Sequence, residues 1–223
     1  MARKKIAPAI IVHTSEPDPW LPNALMRACE QADSDLVAQL IPNHDINARN
    51  DIGYTALMIA SGSITGSAAA IRALVGAGAD LHVCDDTGVD ALMLAAELGN
   101  VDRIEALLEV GANPRALDCG GAGALERVIG GGNGSRAIDL LVDRMDARDL
   151  PRLRKALAKA RHVEATVAHL LPSFRAATGQ PGLTFPSVAL PIERRLAEIE
   201  REALEKATLP PGPVGRSRKT HRL

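Results

Sequence analysis

The chain has 223 residues, 46% of them hydrophobic and only 2% aromatic, and its formal net charge is −1. This length and apolar content suffice for a substantial core, and a core built mainly from Ala, Leu, Ile and Val suits helices that pack closely on one another. The charge argues against a duplex nucleic-acid binder, which normally has a basic face on its folded part.

Residues 1–17 are predicted to form a flexible tail. Three basic residues at 3–5 precede an apolar run at 6–12, as they would in a signal peptide. Pro8 interrupts that run, however, and residues 13–19 are polar with no small-residue cleavage pattern, so we expect no export by this route. No apolar run in the chain approaches the ~20 residues that a membrane-spanning helix needs, so we expect no membrane insertion either.

A tetrapeptide x-Ala-Leu-Met begins at residues 23, 55 and 90, and it returns at residue 123 as Gly-Ala-Leu-Glu. A period of 32 to 35 residues indicates stacked repeats, because a unit this short cannot bury its apolar face without its neighbours. In the third and most complete unit, Gly88 suits a turn with positive φ, Asp90 stands at the N-cap of a first helix and Gly99 ends that helix. A second helix follows, with an apolar stripe of Ile104, Leu107 and Leu108.

This pattern resembles the ankyrin repeat family, whose units read Asp-x-x-Gly-x-Thr-Pro-Leu-His-x-Ala-Ala-x-x-Gly before a second helix with Leu-Leu and a closing Gly-Ala-Asp. The resemblance extends over residues 18–148, although Leu21 replaces the turn glycine of the first unit. The second unit has two extra residues within 61–67, which predict a longer turn between its helices. It matches the family at Asn50, Gly53, Thr55, Leu57, Ala60, Leu74, Val75, Gly78, Ala79 and Asp80. The resemblance implies an all-α, ankyrin-type helical solenoid with four recognisable repeats.

Two departures from the family pattern concern the contacts between repeats. The family's proline is alanine in every unit, at residues 24, 56, 91 and 124, and its histidine is methionine or glutamate. In the family, that histidine and the threonine hydroxyl link adjacent turns by hydrogen bonds, so the resemblance implies weaker coupling here. We expect the methionines to compensate by filling the space between helices.

Beyond the fourth unit, a degenerate fifth helical pair is expected at 150–171, which gives a repeat domain at 18–171. Residues 172–190, which contain several prolines and glycines, are predicted to form an irregular connector. An amphipathic helix is predicted at 191–207, with one stripe made of Ile192, Leu196, Ile199 and Ala203. Residues 208–223 are expected to be a disordered basic tail.

Few residues point to catalysis or to a cofactor. The glycine-rich stretch at 130–136 lacks the Gly-Lys-Ser/Thr ending of a phosphate-binding P-loop, and we interpret it as the turn between the two helices of the fourth repeat. His162 and His169 are two helical turns apart, and no cysteine or carboxylate completes a tetrahedral metal site with them. We therefore expect no enzyme, no metal and no cofactor.

The three cysteines are spread along the chain without a C-x-x-C pair. A sparse, odd number is typical of a reducing compartment, so we expect a cytoplasmic location. Cys29 occupies a small-residue core position, where we expect an inert thiol. Cys84 and Cys119 are predicted on turns of successive repeats, where they either form a redox-sensitive pair or remain free thiols.

The resemblance also implies a binding face, because in this family the variable turns and the exposed ends of the first helices line a groove. The residues at these positions are Trp20, Glu30, Asp51, Ile52, Tyr54, Asp86, Thr87, Val89, Glu97 and Leu98. Trp20 either contacts a partner or packs against the chain before the first helix. The acids Glu30, Asp51, Asp86 and Glu97 either make the groove acidic, which favours a partner with a basic surface, or keep the body soluble.

We therefore expect a noncovalent protein–protein interaction module that serves as a scaffold, an inhibitor or a recruitment factor, with no small-molecule substrate. Two alternatives stay open. The basic residues at 3–5 and 216–222 would suit nucleic acid or another anionic surface, and salt-sensitive binding lost on deletion of 210–223 would favour that alternative. An enzyme of unrecognised type would require a deep pocket with a buried pair of titrating groups.

Overall fold

The structure is a computed structural model that describes residues 23–131, 135–178, 184 and 187–208. The N-terminal tail, Trp20, Leu21 and all but the first residue of the predicted C-terminal tail lie outside the described residues. Within these residues, no helix combines the length and the apolar character needed to cross a bilayer.

The described residues form an all-α stack, as the sequence predicts, with one isolated β-bridge between Cys84 and Asp90. Short 3-10 helices at Ile41–Asn43 and Ala147–Asp149 accompany the α-helices. The α-helices in chain order are α1 (Ala24–Glu30), α2 (Ser34–Leu40), α3 (Ala56–Gly62), α4 (Ala68–Gly76), α5 (Ala91–Glu97), α6 (Val101–Glu109), α7 (Ala124–Gly131), α8 (Ser135–Val142), α9 (Leu150–Thr178) and α10 (Leu190–Thr208).

These helices pack in two layers, each running the length of the stack. The inner layer is α1, α3, α5, α7 and α9, and each of its helices contacts the next. The outer layer is α2, α4, α6, α8 and α10, packed in the same way. One continuous core of buried aliphatic side chains lies between the two layers, so each hairpin is completed by its neighbours.

The recurring tetrapeptide marks the start of each inner helix. The side chains of Asn23, Thr55 and Asp90 accept hydrogen bonds from the backbone N–H groups three residues later, at 2.9, 3.3 and 2.8 Å. These bonds satisfy N–H groups that the first turn of a helix leaves without partners. The donors belong to Met26, Met58 and Met93, whose side chains are buried in the stack, which confirms that methionine fills this space.

The fourth unit begins its helix differently, because Gly123 has no side chain to serve as a cap. Its N–H instead donates to Glu126 Oε2 at 3.0 Å, and Glu126 accepts two further hydrogen bonds from Arg152 of α9. A Cβ atom at position 123 would collide with the Arg152 guanidinium. The same Cβ atom would also collide with the backbone carbonyl oxygen of Ala116, which cannot move aside as a side chain can, so this position requires glycine.

Three loops before the inner helices share one backbone design, and we call them the fingertip loops (residues 50–54, 85–89 and 118–122). The side-chain oxygen of Asn50, Asp85 or Asp118 accepts hydrogen bonds from the N–H groups two and four residues later. Each loop has a glycine with positive φ at its fourth position. A hydrogen bond from Cys119 N–H to the Thr87 carbonyl, at 2.8 Å, joins two successive loops.

The turn between α3 and α4 is longer than its counterparts, as the two extra residues predict. It contains residues 63–67, whereas residues 31–33 and 98–100 connect the corresponding helices of the first and third repeats. Arg103 of α6 holds this turn: it is only 3% exposed, and its guanidinium donates to the carbonyls of Ser61, Ser63 and Ile64. Burial lowers the pKa of Arg103, and the carbonyl oxygens accept hydrogen bonds from its two terminal nitrogens, whereas its Nε has no partner among the described residues.

Other basic side chains connect successive repeats in the same way. Arg144 donates to the Leu108 carbonyl at 3.1 Å, Lys159 to the Glu126 carbonyl at 2.8 Å and Arg195 to the Met145 carbonyl at 2.8 Å. Leu108 belongs to the last turn of α6, where carbonyl oxygens have a partial negative charge, so a cation is favourable there. These contacts couple the repeats where the family's histidine is absent.

The expected fifth helical pair within 150–171 is wrong, because these residues belong to the single helix α9. No glycine interrupts the chain between Leu150 and Thr178, and the helix therefore continues through the place where a turn between two repeat helices was expected. Helix α9 also takes in residues 172–178 of the predicted connector, with Pro172 inside it. The stack ends in a fifth hairpin after all, but α10 is its second helix, since α10 packs on α8 and α9.

Helix α10 runs antiparallel to α9 and is joined to it by ion pairs between Arg154 and Glu200, at 2.9 Å, and between Arg161 and Glu193, at 2.7 Å. Its predicted apolar stripe is buried at Ile192, Leu196 and Ile199. Ala203, assigned to the same stripe, is exposed instead.

The glycine-rich stretch at 130–136 spans the end of α7 and the start of α8. Helix α7 ends at Gly131 and α8 begins at Ser135, and residues 132–134 are outside the described residues.

We predict that Asp90→Ala lowers the free energy of unfolding by about 1 kcal/mol, because the N–H of Met93 loses its acceptor. Asp90→Asn should lose clearly less free energy of unfolding, because the amide oxygen can still accept that bond. The same change also removes a carboxyl whose pKa is raised by burial. Urea denaturation at neutral pH measures both values. Equal losses for the two variants would show that the cap is not what Asp90 contributes.

We predict that Arg103→Met destabilises the chain by roughly 1–3 kcal/mol, because buried carbonyls of the long turn lose their donors. The matched control is Arg72→Met, which removes an exposed ion pair with Glu109 on the neighbouring outer helices. That change should cost less than about 0.5 kcal/mol. Thermal and urea unfolding give the comparison, and similar losses for the two variants would contradict the role of Arg103.

Candidate functional site

An open groove of about 780 Å³ lies on the inner layer, across the first three repeats. The first fingertip loop and the inner helices α3 and α5 supply most of its surface, and the long turn after α3 closes one side. Its lining consists of Glu30, Asn50, Ile52, Tyr54, Met58, Ile59, Gly62, Ser63, Ile64, Thr65, Leu94, Glu97 and Leu98.

The groove brings together half of the residues that the sequence selects for a binding face. These are Glu30, Ile52, Tyr54, Glu97 and Leu98. They come from α1, from the first fingertip loop and from the end of α5, so residues far apart in the chain meet on one surface.

Trp20 lies outside the described residues, and the other four selected residues do not line the groove. Asp51, Asp86 and Thr87 are exposed on the fingertip loops outside it, and the Thr87 hydroxyl donates to Asp85 Oδ1 at 2.7 Å. Val89 is a wrong prediction, because only 6% of it is exposed. Its backbone closes the loop by two hydrogen bonds with Asp85, which turns its side chain away from solvent.

The long turn after α3 is a wall of the groove that the sequence analysis missed. Ile64 is 89% exposed at its tip, and Leu98, which is 38% exposed, also lines the groove. The hydroxyls of Ser63 and Thr65 donate to the carbonyl of Glu30, so the turn reaches back to the end of α1. The two extra residues at 61–67 were the sequence feature that pointed to this turn, but by themselves they indicate only that the turn is long.

The groove is less acidic than its four selected acids suggest. Glu97 forms an ion pair with Arg127 at 2.7 Å, and Arg127 also binds Asp118 at 2.8 Å. Asp86 lies 3.6 Å from Arg49. Glu30 is exposed at the rim, and no basic residue in the described part of the chain forms an ion pair with it. A single acid of the groove therefore faces solvent with its charge available.

Tyr54 is the aromatic side chain of the groove. Partial burial raises its pKa, and the charges of Asp85 and Glu97 raise it further, against a smaller opposite effect of Arg127. The phenol therefore stays neutral at physiological pH, and it offers an apolar ring together with a polar hydroxyl, a combination common in interface residues.

The cysteines take the positions that the sequence analysis assigns to them. Cys29 is buried, and burial raises the pKa of its thiol to about 12, which suppresses thiolate chemistry. Cys84 and Cys119 are exposed, and both are free thiols.

The lining of the groove suits noncovalent contact with another molecule. Its ionisable side chains are Glu30, Tyr54 and Glu97, and its hydroxyls at Ser63 and Thr65 are already bound to the Glu30 carbonyl. Aliphatic side chains cover the remainder. Such a surface can hold apolar side chains and orient them by a few polar groups.

Comparison with known proteins agrees with the architecture. Two stretches of the chain, residues 6–85 and 25–118, match the family model described as ankyrin repeats (3 copies). The chain is also 30% identical over 125 residues to "Ankyrin repeat domain-containing protein 63" of Homo sapiens, a match that covers 51% of this chain and 33% of that relative. The chain thus spans about a third of the relative's length. With its period, its capped inner helices and its glycine-containing loops, this chain belongs to the ankyrin repeat family.

Proposed function

We propose that this chain is a protein-binding module that holds a segment of a partner protein in the groove of its first three repeats. Ankyrin repeats generally mediate protein–protein interaction, and the groove offers the surface for it here. The module would act by occupying or presenting its partner, as a scaffold, an inhibitor or a recruitment factor. The free thiols of Cys84 and Cys119 support placing it in a reducing compartment such as the cytoplasm.

The observation that carries this proposal is the exposed apolar rim of the groove. Ile64 is 89% exposed on a turn that a buried arginine holds in place, and Leu98 is a second partly exposed aliphatic residue of the same groove. The stack gains nothing from leaving these side chains in water. Burying an isoleucine against a partner contributes roughly 1.5–3 kcal/mol to binding, which is comparable to the free energy that one anchoring residue of an interface supplies.

The charges indicate which partner chemistry the groove favours. Glu30 is exposed at the rim, and Asp51 is exposed on the first fingertip loop. A lysine or arginine of the partner would gain attraction and a faster approach there. We infer that the bound segment presents an aliphatic side chain to Ile64 and Leu98, with a basic residue beside it.

We predict that Ile64→Asp abolishes partner capture without changing thermal stability, because the isoleucine is almost fully exposed in the free chain. Loss of its apolar contact should weaken binding by roughly 10- to 100-fold. Affinity purification with the intact chain, followed by quantitative mass spectrometry, identifies the proteins whose recovery depends on Ile64.

The matched control is Leu117→Asp, which puts the same charge on a half-exposed leucine outside the groove. This variant should recover the same proteins as the unaltered chain. Equal recovery by Ile64→Asp and Leu117→Asp would remove the groove from consideration as the binding site.

A further inference from the structure

We propose that the chain supplies its own competitor for this groove: residues 3–12, Arg-Lys-Lys-Ile-Ala-Pro-Ala-Ile-Ile-Val, occupy it until a partner displaces them. The inference rests on the proposed function, because it assigns a regulatory occupant to the same groove. The occupant is a segment of this chain that lies outside the described residues.

The composition of this segment corresponds to what the groove offers. Ile10, Ile11 and Val12 are consecutive aliphatic residues, suited to the rim formed by Ile64 and Leu98. Burial of apolar side chains against that rim is favourable by the same area argument that applies to a partner. Pro8 disfavours a helix in this stretch, and an extended segment can lie across several inner helices at once.

The charges of the segment also complement the groove. Its residues 3–5 are all basic, whereas Glu30 is exposed at the rim. Glu97 already forms an ion pair with Arg127. Glu30 is therefore the groove carboxylate that gains the most attraction from a new cation. The same basic residues would be attracted by the exposed Asp51 of the nearby loop.

The connection is long enough for this contact. Between Val12 and the cap of α1 at Asn23 the chain can span up to roughly 36 Å when extended. Helix α1 itself is only about 10 Å long and ends at Glu30 on the groove. A tether of this length gives an effective concentration on the order of millimolar, so even a weak contact would reduce the apparent affinity of a partner.

The C-terminal tail is a poorer occupant although it is also basic. Arg216, Arg218, Lys219 and Arg222 are not accompanied by an aliphatic run, since residues 215–222 contain no aliphatic side chain beyond the arginine and lysine stems. It also follows α10, at the opposite end of the stack from the groove. This tail therefore serves as the matched control.

The test uses the full chain with a nitroxide spin label at position 9. Cys84→Ser and Cys119→Ser remove the exposed thiols, Ala9→Cys adds the labelling site, and buried Cys29, with its pKa of about 12, stays unlabelled. Methyl NMR of isoleucine and leucine should show strong broadening at Ile52, Ile59 and Ile64 and none at the distant core residues Ile138 and Ile199. A label at Ser217→Cys in the same background should leave the three groove methyls sharp.

A second variant tests whether the apolar run is what binds. Ile10→Asp with Ile11→Asp should abolish the broadening at Ile64, and it should raise partner capture several-fold, because the competitor is lost. Broadening confined to residues of α1 and α2, such as Leu25, would mean that the segment completes the first repeat, and this result would overturn the inference. Absence of selective broadening at Ile64 would overturn it as well.

The outcomes separate this inference from the proposed function. If Ile64→Asp loses its partners but the label at position 9 leaves the groove methyls sharp, the tail is not the occupant and the groove still binds proteins. If the label broadens Ile64 while Ile64→Asp recovers every partner, the groove receives only the tail and the proposed function fails.

Discussion

The dependence of each helical hairpin on its neighbours is the constraint from which the rest of this structure follows. The inner helices α1, α3 and α5 have seven residues each, far fewer than an isolated helix needs to be stable in water. Their caps on Asn23, Thr55 and Asp90 and the buried methionines that follow make the short helices possible only within the stack. Cohesion therefore resides between the repeats.

Basic side chains carry part of that cohesion. Arg103, Arg144 and Arg195 each donate to carbonyls of the preceding repeat. Their length lets one side chain reach from its own repeat to the backbone of the preceding one in the stack. In doing so, Arg103 fixes the long turn of the second repeat and makes its tip a rigid wall of the groove. A stabilising contact between an outer helix and the long turn of the preceding repeat thus shapes the surface available to a partner.

The repeats were predictable because a tetrapeptide at a fixed period reports a structural unit directly. The groove was predictable in part: Tyr54 and Leu98 occupy positions that the family assigns to a binding face, and both line it. Val89 was misassigned because its burial depends on loop closure with Asp85, which no local pattern indicates. The pairing of Glu97 with Arg127 joins residues 30 positions apart and likewise depends on how the repeats stack.

The end of the stack shows the limit of periodicity as a guide. Apolar residues recur at the expected spacing in 150–171, but a helix also continues wherever nothing ends it, and α9 has no glycine within it. Helix α10, far along the chain, then occupies the position of the outer helix in this last hairpin. The spacing of apolar residues predicts which face of a helix is buried, whereas the residues that end a helix decide how many helices form.

Native-state hydrogen exchange on Leu92→Ala tests the central claim of mutual dependence most directly. Leu92 is buried in α5, and its truncation should cost roughly 2–5 kcal/mol. If the hairpins stabilise one another, protection falls by a similar amount in α3 and α7 as in α5. If protection falls in α5 and α6 alone, the hairpins are independent units and the account is wrong.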